Sequence, residues 1–128
     1  MRRFEIYFGR SRRHRIPSLR SLAVLAQSQG EFGLAIDHME QAAQVAEEID
    51  LPGELWLIWQ ALADLYLKRG EDEQTHRAYS EAARLVMKLA AAIQEGERRK
   101  LYLSSPLVQR VLQAAASRGY STDVNEQM

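Results

Sequence analysis

The sequence predicts an all-α protein in which two antiparallel helix pairs stack on each other and a further helix closes the C-terminal end. Apolar residues recur at helical spacing from residue 17 to residue 117, and no alternating run in this region indicates a strand. Gly and Pro interrupt the spacing where helices are expected to end. One pattern of Leu, Ala and Gly occurs twice, 40 residues apart, which is typical of repeat architectures.

Residues 1–16 are predicted to form a basic N-terminal arm. Residues 1–20 carry seven Arg and one Glu, whereas the remainder carries ten basic and sixteen acidic residues. Such an arm could bind nucleic acid or an anionic membrane, and the alternative is a solvated tail that folds back on the body. Residues 4–8 fit a short strand or part of a helix, and Tyr7 or Phe8 could stack on bases. The arginines available for phosphate contacts are Arg2, Arg3, Arg10, Arg12, Arg13 and Arg15.

The first helix pair is predicted over about residues 17–50. Pro17 suits the first position of a helix, because its missing N–H would have no partner there. Gly30 ends this helix, since Gly adopts the left-handed conformation of a helix end at low cost. The second helix covers about residues 32–49 and stops at residues 50–53, which read Asp-Leu-Pro-Gly. The predicted core of the first helix comprises Leu19, Leu22, Ala23, Leu25 and Ala26.

The second helix pair is predicted over about residues 53–94. Its first helix is apolar in every direction over residues 55–59, and a helix of this kind is expected to pack against neighbours on more than one side. Gly70 ends that helix, and a long amphipathic helix follows over about residues 72–94. The second pair is therefore expected to lie in the middle of the stack.

A closing segment is predicted over residues 97–118. Gly96 marks a break after the second pair. Ser105 then supplies a helix cap, and Pro106 suits the first position of an amphipathic last helix that runs to about residue 117. Residues 119–128 are polar and are predicted to form a flexible tail.

Residues of similar character stand at matching positions of the two units. The first unit has Leu19, Leu22, Ala23, Ala26, Gly30, Ala35, Met39 and Ala42, and the second has Trp59, Leu62, Ala63, Tyr66, Gly70, Tyr79 and Ala82. This set resembles the tetratricopeptide repeat, which implies a right-handed solenoid with a C-terminal capping helix. The period of 40 exceeds the usual period of about 34, and Thr75 replaces a small Ala. The long period is similar to the C-terminal repeats of bacterial multidomain signalling regulators.

The resemblance implies that a partner peptide lies in a concave groove along the first helix of each pair. The groove residues that it implies are Arg20, Val24, Gln27, Leu57, Gln60, Asp64 and Leu67. Trp56 is added to this candidate partner surface, because Trp56 and Ile58 exceed what a two-unit core requires. Val24 and Ala61 stand where family members that grip a peptide carboxylate have Asn, so that grip is not expected. The alternative is that the arm, the last helix or a neighbouring subunit covers the groove.

The sequence contains no constellation that indicates catalysis. It has no Cys, which excludes thiol chemistry and disulfides, and its three His residues are scattered without metal-ligand spacing. Ser104 and Ser105 have no base nearby and suit a helix cap instead. No apolar run reaches the roughly 18 residues that a membrane span needs. A non-enzymatic cytoplasmic protein without a metal or cofactor is therefore expected.

Two hypotheses for function follow from these patterns. The leading hypothesis is a helical-repeat module that binds a partner protein or peptide, or a copy of itself, within a regulatory or scaffolding system. Because only two full units are present and three are usual, self-association or a further N-terminal unit is expected. The alternative hypothesis is nucleic-acid or anionic-surface binding through the arginines of the arm, which would weaken steeply with salt.

Overall fold

The computed structural model describes the backbone of residues 2–119 and the side chains of residues 12–119, and this part contains helices and no strand. The helices are α1 (Arg2–Ser28), α2 (Phe32–Glu48), α3 (Pro52–Lys68), α4 (Asp72–Ala92), α5 (Gly96–Leu103) and α6 (Pro106–Ser117). Neighbouring helices pack in pairs, α1 with α2 and α3 with α4, and α2 also packs on α3. The predicted all-α class is confirmed. The predicted flexible tail beyond residue 119 lies outside the described residues.

The first helix begins much earlier than the sequence predicts. α1 starts at Arg2 and continues through Pro17, so the helix start predicted at Pro17 is wrong and residues 2–16 belong to the same helix. Contacts made by residues just before Pro17 hold this continuation in place. Ile16 is buried in the core, and the Arg12 side chain forms an ion pair with Glu48 at the end of α2. Tertiary contacts thus offset the backbone hydrogen bond that Pro17 cannot make.

Left-handed residues end the first three helices. Gly30 and Gly70 have φ of 78° and 73°, as the sequence predicts for helix ends, and the N–H of Glu31 donates to the carbonyl of Ala26 at 2.9 Å. The end of α2 uses Asp50 instead, with φ of 58°. Its following residue, Leu51, donates its N–H to the Ala46 carbonyl at 2.9 Å, which repeats the arrangement at Gly30.

An additional short helix, α5, occupies the region where the sequence indicates only a break. Its position depends on Arg99, whose side chain reaches back to the end of α4. The guanidinium Nε donates to the carbonyls of Ile93 at 3.0 Å and Ala90 at 3.2 Å. The Ala90 carbonyl also accepts the Ile93 N–H at 3.0 Å, and Arg99 adds donors at the end of α4, where the last turn of a helix leaves acceptors without intrahelical partners. Arg99 therefore anchors the start of the closing segment.

One core cluster runs through both helix pairs and into α6. The small residues at matching positions of the units are buried as predicted, which lets the helix axes approach closely. Thr75 is fully buried and donates its hydroxyl to the Glu71 carbonyl at 2.8 Å. Hydrogen bonding within its own helix removes the cost of burying that hydroxyl. The buried alanines are Ala23, Ala35, Ala42, Ala43, Ala63, Ala82 and Ala83.

Two leucines assigned to the core of α1 are on the surface. Leu22 is 46% exposed and Leu25 is 54% exposed, so the prediction that both are buried is wrong. Among the described helices, α2 is the element against which α1 packs extensively. Helical spacing shows which residues share a face, but a face is buried only where a neighbouring element covers it.

Candidate functional site

The half of the predicted groove on α3 is occupied by side chains of the protein itself. Asp64 lies at the centre of this arrangement and accepts three hydrogen bonds. Its Oδ1 accepts from the Tyr79 hydroxyl at 2.5 Å, and its Oδ2 accepts from Gln60 Nε2 at 2.7 Å. Arg110 of α6 completes the set by donating to Oδ2 at 2.9 Å. Asp64 therefore links α3 to α4 and α6, and a peptide would have to displace these bonds.

The electrostatics of this network favour the neutral form of Tyr79. Burial of the phenol, followed by its hydrogen bond to the Asp64 carboxylate, raises the pKa of Tyr79 to about 12. Arg110 acts in the opposite direction, because a nearby cation favours the phenolate. The hydroxyl thus remains a donor across the physiological range, which keeps the Asp64 carboxylate oriented.

Three residues of α3 that were predicted to contact a partner differ in burial: Trp56, Leu57 and Leu67. Trp56 is only 7% exposed, so it is a core residue and offers no surface to a partner. It is buried because α3 has α2 on one side and α4 on another. Leu57 is partly buried against the core, whereas Leu67 is exposed near the end of the helix. Of the two groove leucines predicted on α3, only Leu67 is freely accessible.

The half of the groove on α1 is open. Val24 is 65% exposed, and Gln27 is partly buried beside it on the helix. A cavity of about 450 Å³ is lined by Pro17, Arg20, Ser21 and Val24. The groove positions on the two helices thus differ, because Asp64 on α3 is bonded to Arg110 of α6, whereas the Val24 side chain on α1 is left open.

A second cavity, of about 320 Å³, adjoins this region and shares Arg20 and Pro17 with it. The walls combine basic and apolar groups, and Glu54 is the one acidic residue among them. Arg20 Nη1 lies 3.7 Å from Glu54 Oε2, a loose pair between partly exposed groups. Arg13 forms no ion pair within the described residues. The lining residues are Arg13, His14, Ile16, Pro17, Arg20, Leu51 and Glu54.

An acidic cleft that sequence reasoning missed lies between α2 and α3, with a volume of about 630 Å³. The Tyr66 hydroxyl donates to Glu40 Oε2 at 2.6 Å across it, joining the two helix pairs. Burial, followed by this hydrogen bond, raises the pKa of Tyr66 well above its ordinary value. This cleft could have been anticipated from Glu40 and Glu47, because their spacing in the sequence places both carboxylates on one face of α2. The lining residues are Glu40, Ala43, Gln44, Glu47, Glu48, Trp59, Leu62 and Tyr66.

The arginines of the predicted arm fall into two groups. The side chains of Arg2, Arg3 and Arg10, like those of Tyr7 and Phe8, lie outside the described residues. Arg12 is paired with Glu48, Arg13 lines the smaller cavity, and Arg15 is exposed on α1. The structure therefore distributes the three described arginines over different sides of one helix.

No group of three or more potential metal ligands occurs within the described side chains. None of the helices in this part is both long and apolar enough to cross a membrane. In comparisons with known proteins, no family model, no curated protein and no solved structure matched this chain.

Proposed function

We propose that this chain is a non-enzymatic helical-repeat module that binds an acidic peptide segment of a partner protein along α1. In this proposal the two helix pairs stack as a right-handed solenoid of the tetratricopeptide type, and α6 is its capping helix. The packing of α2 on α3 and of α6 on α4, together with the matching residues 40 positions apart, supports that arrangement. The setting is a cytoplasmic regulatory or scaffolding assembly, as the long repeat period suggests.

The open basic cavity on α1 is the observation that carries the proposal. Arg13, His14 and Arg20 surround a space of about 320 Å³, and Glu54 is the only carboxylate among the described residues that line it. Cavities that hold ligands commonly have volumes of about 300–1,000 Å³. The pairing of Arg20 with Glu54 is loose, so an incoming carboxylate can replace Glu54 at low cost.

The lining also indicates which peptide would fit. Ile16, Pro17 and Leu51 give the cavity apolar walls between the basic groups. A segment in which Asp or Glu alternates with apolar residues would satisfy both surfaces, since guanidinium groups bind carboxylates in a forked geometry. The adjoining space beside Val24 extends this surface along the helix. We therefore expect an acidic, partly apolar peptide rather than a basic one.

The proposal is tested by binding of two short fluorescein-labelled peptides, one of Glu and Leu and the other of Lys and Leu. Fluorescence anisotropy is expected to show binding of the Glu peptide only. Arg20→Glu and Arg13→Glu should each weaken it about tenfold or more, because charge reversal turns attraction into repulsion. Arg98→Glu is the matched control, since Arg98 is an exposed arginine on α5 that does not line the cavity. Equal binding of both peptides, or no binding of either, would refute the proposal.

A second candidate function is polyanion binding by α1. The observation in its favour is that α1 begins at Arg2, so the six arginines of the predicted arm belong to one continuous helix. Labelled single-stranded and duplex oligonucleotides, titrated at two salt concentrations, test this function. Arg15→Glu separates the two candidates, because Arg15 is exposed but does not line the cavity. It should weaken oligonucleotide binding and leave the Glu peptide unaffected. Absence of oligonucleotide binding at low salt would exclude this candidate.

A further inference from the structure

The two arginines of the basic cavity on α1 differ in what they already contact. Arg20 Nη1 lies 3.7 Å from Glu54 Oε2, whereas Arg13 forms no ion pair within the described residues. Both side chains line the same space of about 320 Å³. A carboxylate that enters this space therefore meets Arg13 without competition, but it meets Arg20 beside a carboxylate of the chain itself.

The start of α3 determines the position of Glu54. This residue lies in the first turn of the helix, two residues after Pro52, with which the helix begins. The Leu55 N–H donates to the Leu51 carbonyl at 2.9 Å, which holds the backbone that carries Glu54. The positive end of the helix dipole favours a carboxylate here. Glu54 therefore keeps a favourable environment when its side chain leaves Arg20.

The pair of Arg20 and Glu54 is accessible to a ligand. The side chains are 37% and 49% exposed, so both members of the pair reach solvent. An ion pair of this kind contributes little to folding stability. It still affects binding, because a ligand binds less tightly when its site is free in only a fraction of the molecules. The pair is thus weak enough for a ligand to displace and strong enough to lower the affinity for that ligand.

We propose that Glu54 is an internal competitor, which holds Arg20 until an acidic peptide replaces it. This role rests on the peptide site proposed above and adds a residue that sets the affinity of that site. In the free protein, the Glu54 carboxylate stands where a carboxylate of the peptide would bind Arg20. In the complex, Arg20 binds the peptide, and Glu54 turns to solvent at the start of α3. Peptides that engage Arg20 as well as Arg13 must therefore displace Glu54.

The competitor is tested by fluorescence anisotropy with the labelled peptide of Glu and Leu. Glu54→Gln should bind this peptide about threefold more tightly than wild type, because Gln keeps the size of the side chain and removes its charge. Glu95→Gln is the matched control and should leave the affinity unchanged. Glu95 also pairs with an arginine beside the start of a helix, but it does not line the cavity.

Glu54→Asp separates displacement of the side chain from the charge of the cavity. Asp keeps the negative charge but is shorter by one methylene, and the pair with Arg20 is already 3.7 Å long. Contact with Arg20 should therefore be weakened, and the affinity should lie between those of wild type and Glu54→Gln. Affinity equal to that of wild type would show that only the charge matters.

A double-mutant cycle identifies the arginine through which Glu54 acts. Arg20→Gln should weaken peptide binding more in the Glu54→Gln background than in wild type, because Arg20 is fully available to the peptide once Glu54 is neutral. Arg13→Gln should cause nearly the same loss in both backgrounds, since Arg13 has no ion pair with Glu54. Equal coupling of both arginines to Glu54 would contradict a competitor that acts on Arg20.

The measurements distinguish failure of the competitor from failure of the peptide site. If wild type binds the peptide and Glu54→Gln binds it no more tightly, Glu54 is not a competitor and the peptide site stands. If neither protein binds the peptide, both the site and the competitor are excluded. Circular dichroism of each variant confirms that a change in affinity does not result from unfolding.

Discussion

At the scale of single residues, two tyrosines combine a packing role with a hydrogen-bonding role. The rings of Tyr66 and Tyr79 belong to the core, as their positions in the repeat predict. Their hydroxyls each reach a carboxylate on a neighbouring helix, Glu40 for the first and Asp64 for the second. The packing was predictable from helical spacing. The hydrogen bonds were not, because their partners are 26 and 15 residues away in the sequence.

Burial of the Tyr79 phenol, together with its hydrogen bond to Asp64, predicts a loss of stability at high pH. Because the pKa is raised from its ordinary value of 10.0 to about 12 in the folded state, the stabilisation is complete below pH 10.0 and is lost as the pH rises to about 12. We expect the free energy of unfolding to fall by up to about 2.5 kcal/mol across this range. Urea unfolding at several pH values measures it.

Tyr79→Phe is the control for this pH dependence, because it removes the titrating group and keeps the ring. The variant should be less stable at neutral pH by about 1 kcal/mol, since Asp64 loses one donor. Its stability should also fall less steeply above pH 10. Parallel curves for the variant and wild type would show that Tyr79 does not contribute.

At the scale of helices, the positions where helices start and end were easier to predict than the continuation of one helix through a proline. Gly30, Gly70 and Pro106 mark helix ends and starts where the sequence places them, because their backbone preferences are local. Pro17 carries the same local signal, yet α1 passes through it. The decisive contacts are the burial of Ile16 and the ion pair of Arg12 with Glu48, which no local pattern reports.

Replacement of the two prolines distinguishes a helix interior from a helix start. Pro17→Ala should stabilise the protein by about 1–3 kcal/mol, because it restores a backbone donor within α1. Pro106→Ala, at the first position of α6, should change stability by less than about 0.5 kcal/mol, since no donor is missed there. Urea unfolding compares both variants. A neutral or destabilising Pro17→Ala would instead indicate a helix that starts at Pro17.

At the scale of the whole molecule, position in the stack determines what a repeated residue does. Leu22 and Leu62 are equivalent in the repeat, but only Leu62 is enclosed. The same holds for the groove, where Arg110 of α6 bonds to Asp64 on α3, whereas the Val24 side chain on α1 is 65% exposed. The two helix pairs therefore divide their roles, with the second forming the interior and the first presenting surfaces.

This asymmetry predicts unequal effects of the same substitution. Leu62→Ala should destabilise the protein by about 2–5 kcal/mol, because it leaves a cavity between α2 and α3. Leu22→Ala should cost less than about 1 kcal/mol, because the Leu22 side chain is 46% exposed. Thermal or urea unfolding provides both values. Equal destabilisation would contradict the exposure of Leu22 and mean that its side chain is enclosed in solution.

The amino-acid sequence alone was sufficient for the all-α class, for most helix ends and for the small residues between helices. These features depend on backbone preferences and on spacing within one or two turns, which are local properties. Only the tertiary structure decided the continuity of α1, the burial of Trp56, the exposure of Leu22 and the bond between Arg110 and Asp64. Each of these depends on which element lies alongside a given face, and residues as far apart as 46 positions determine that.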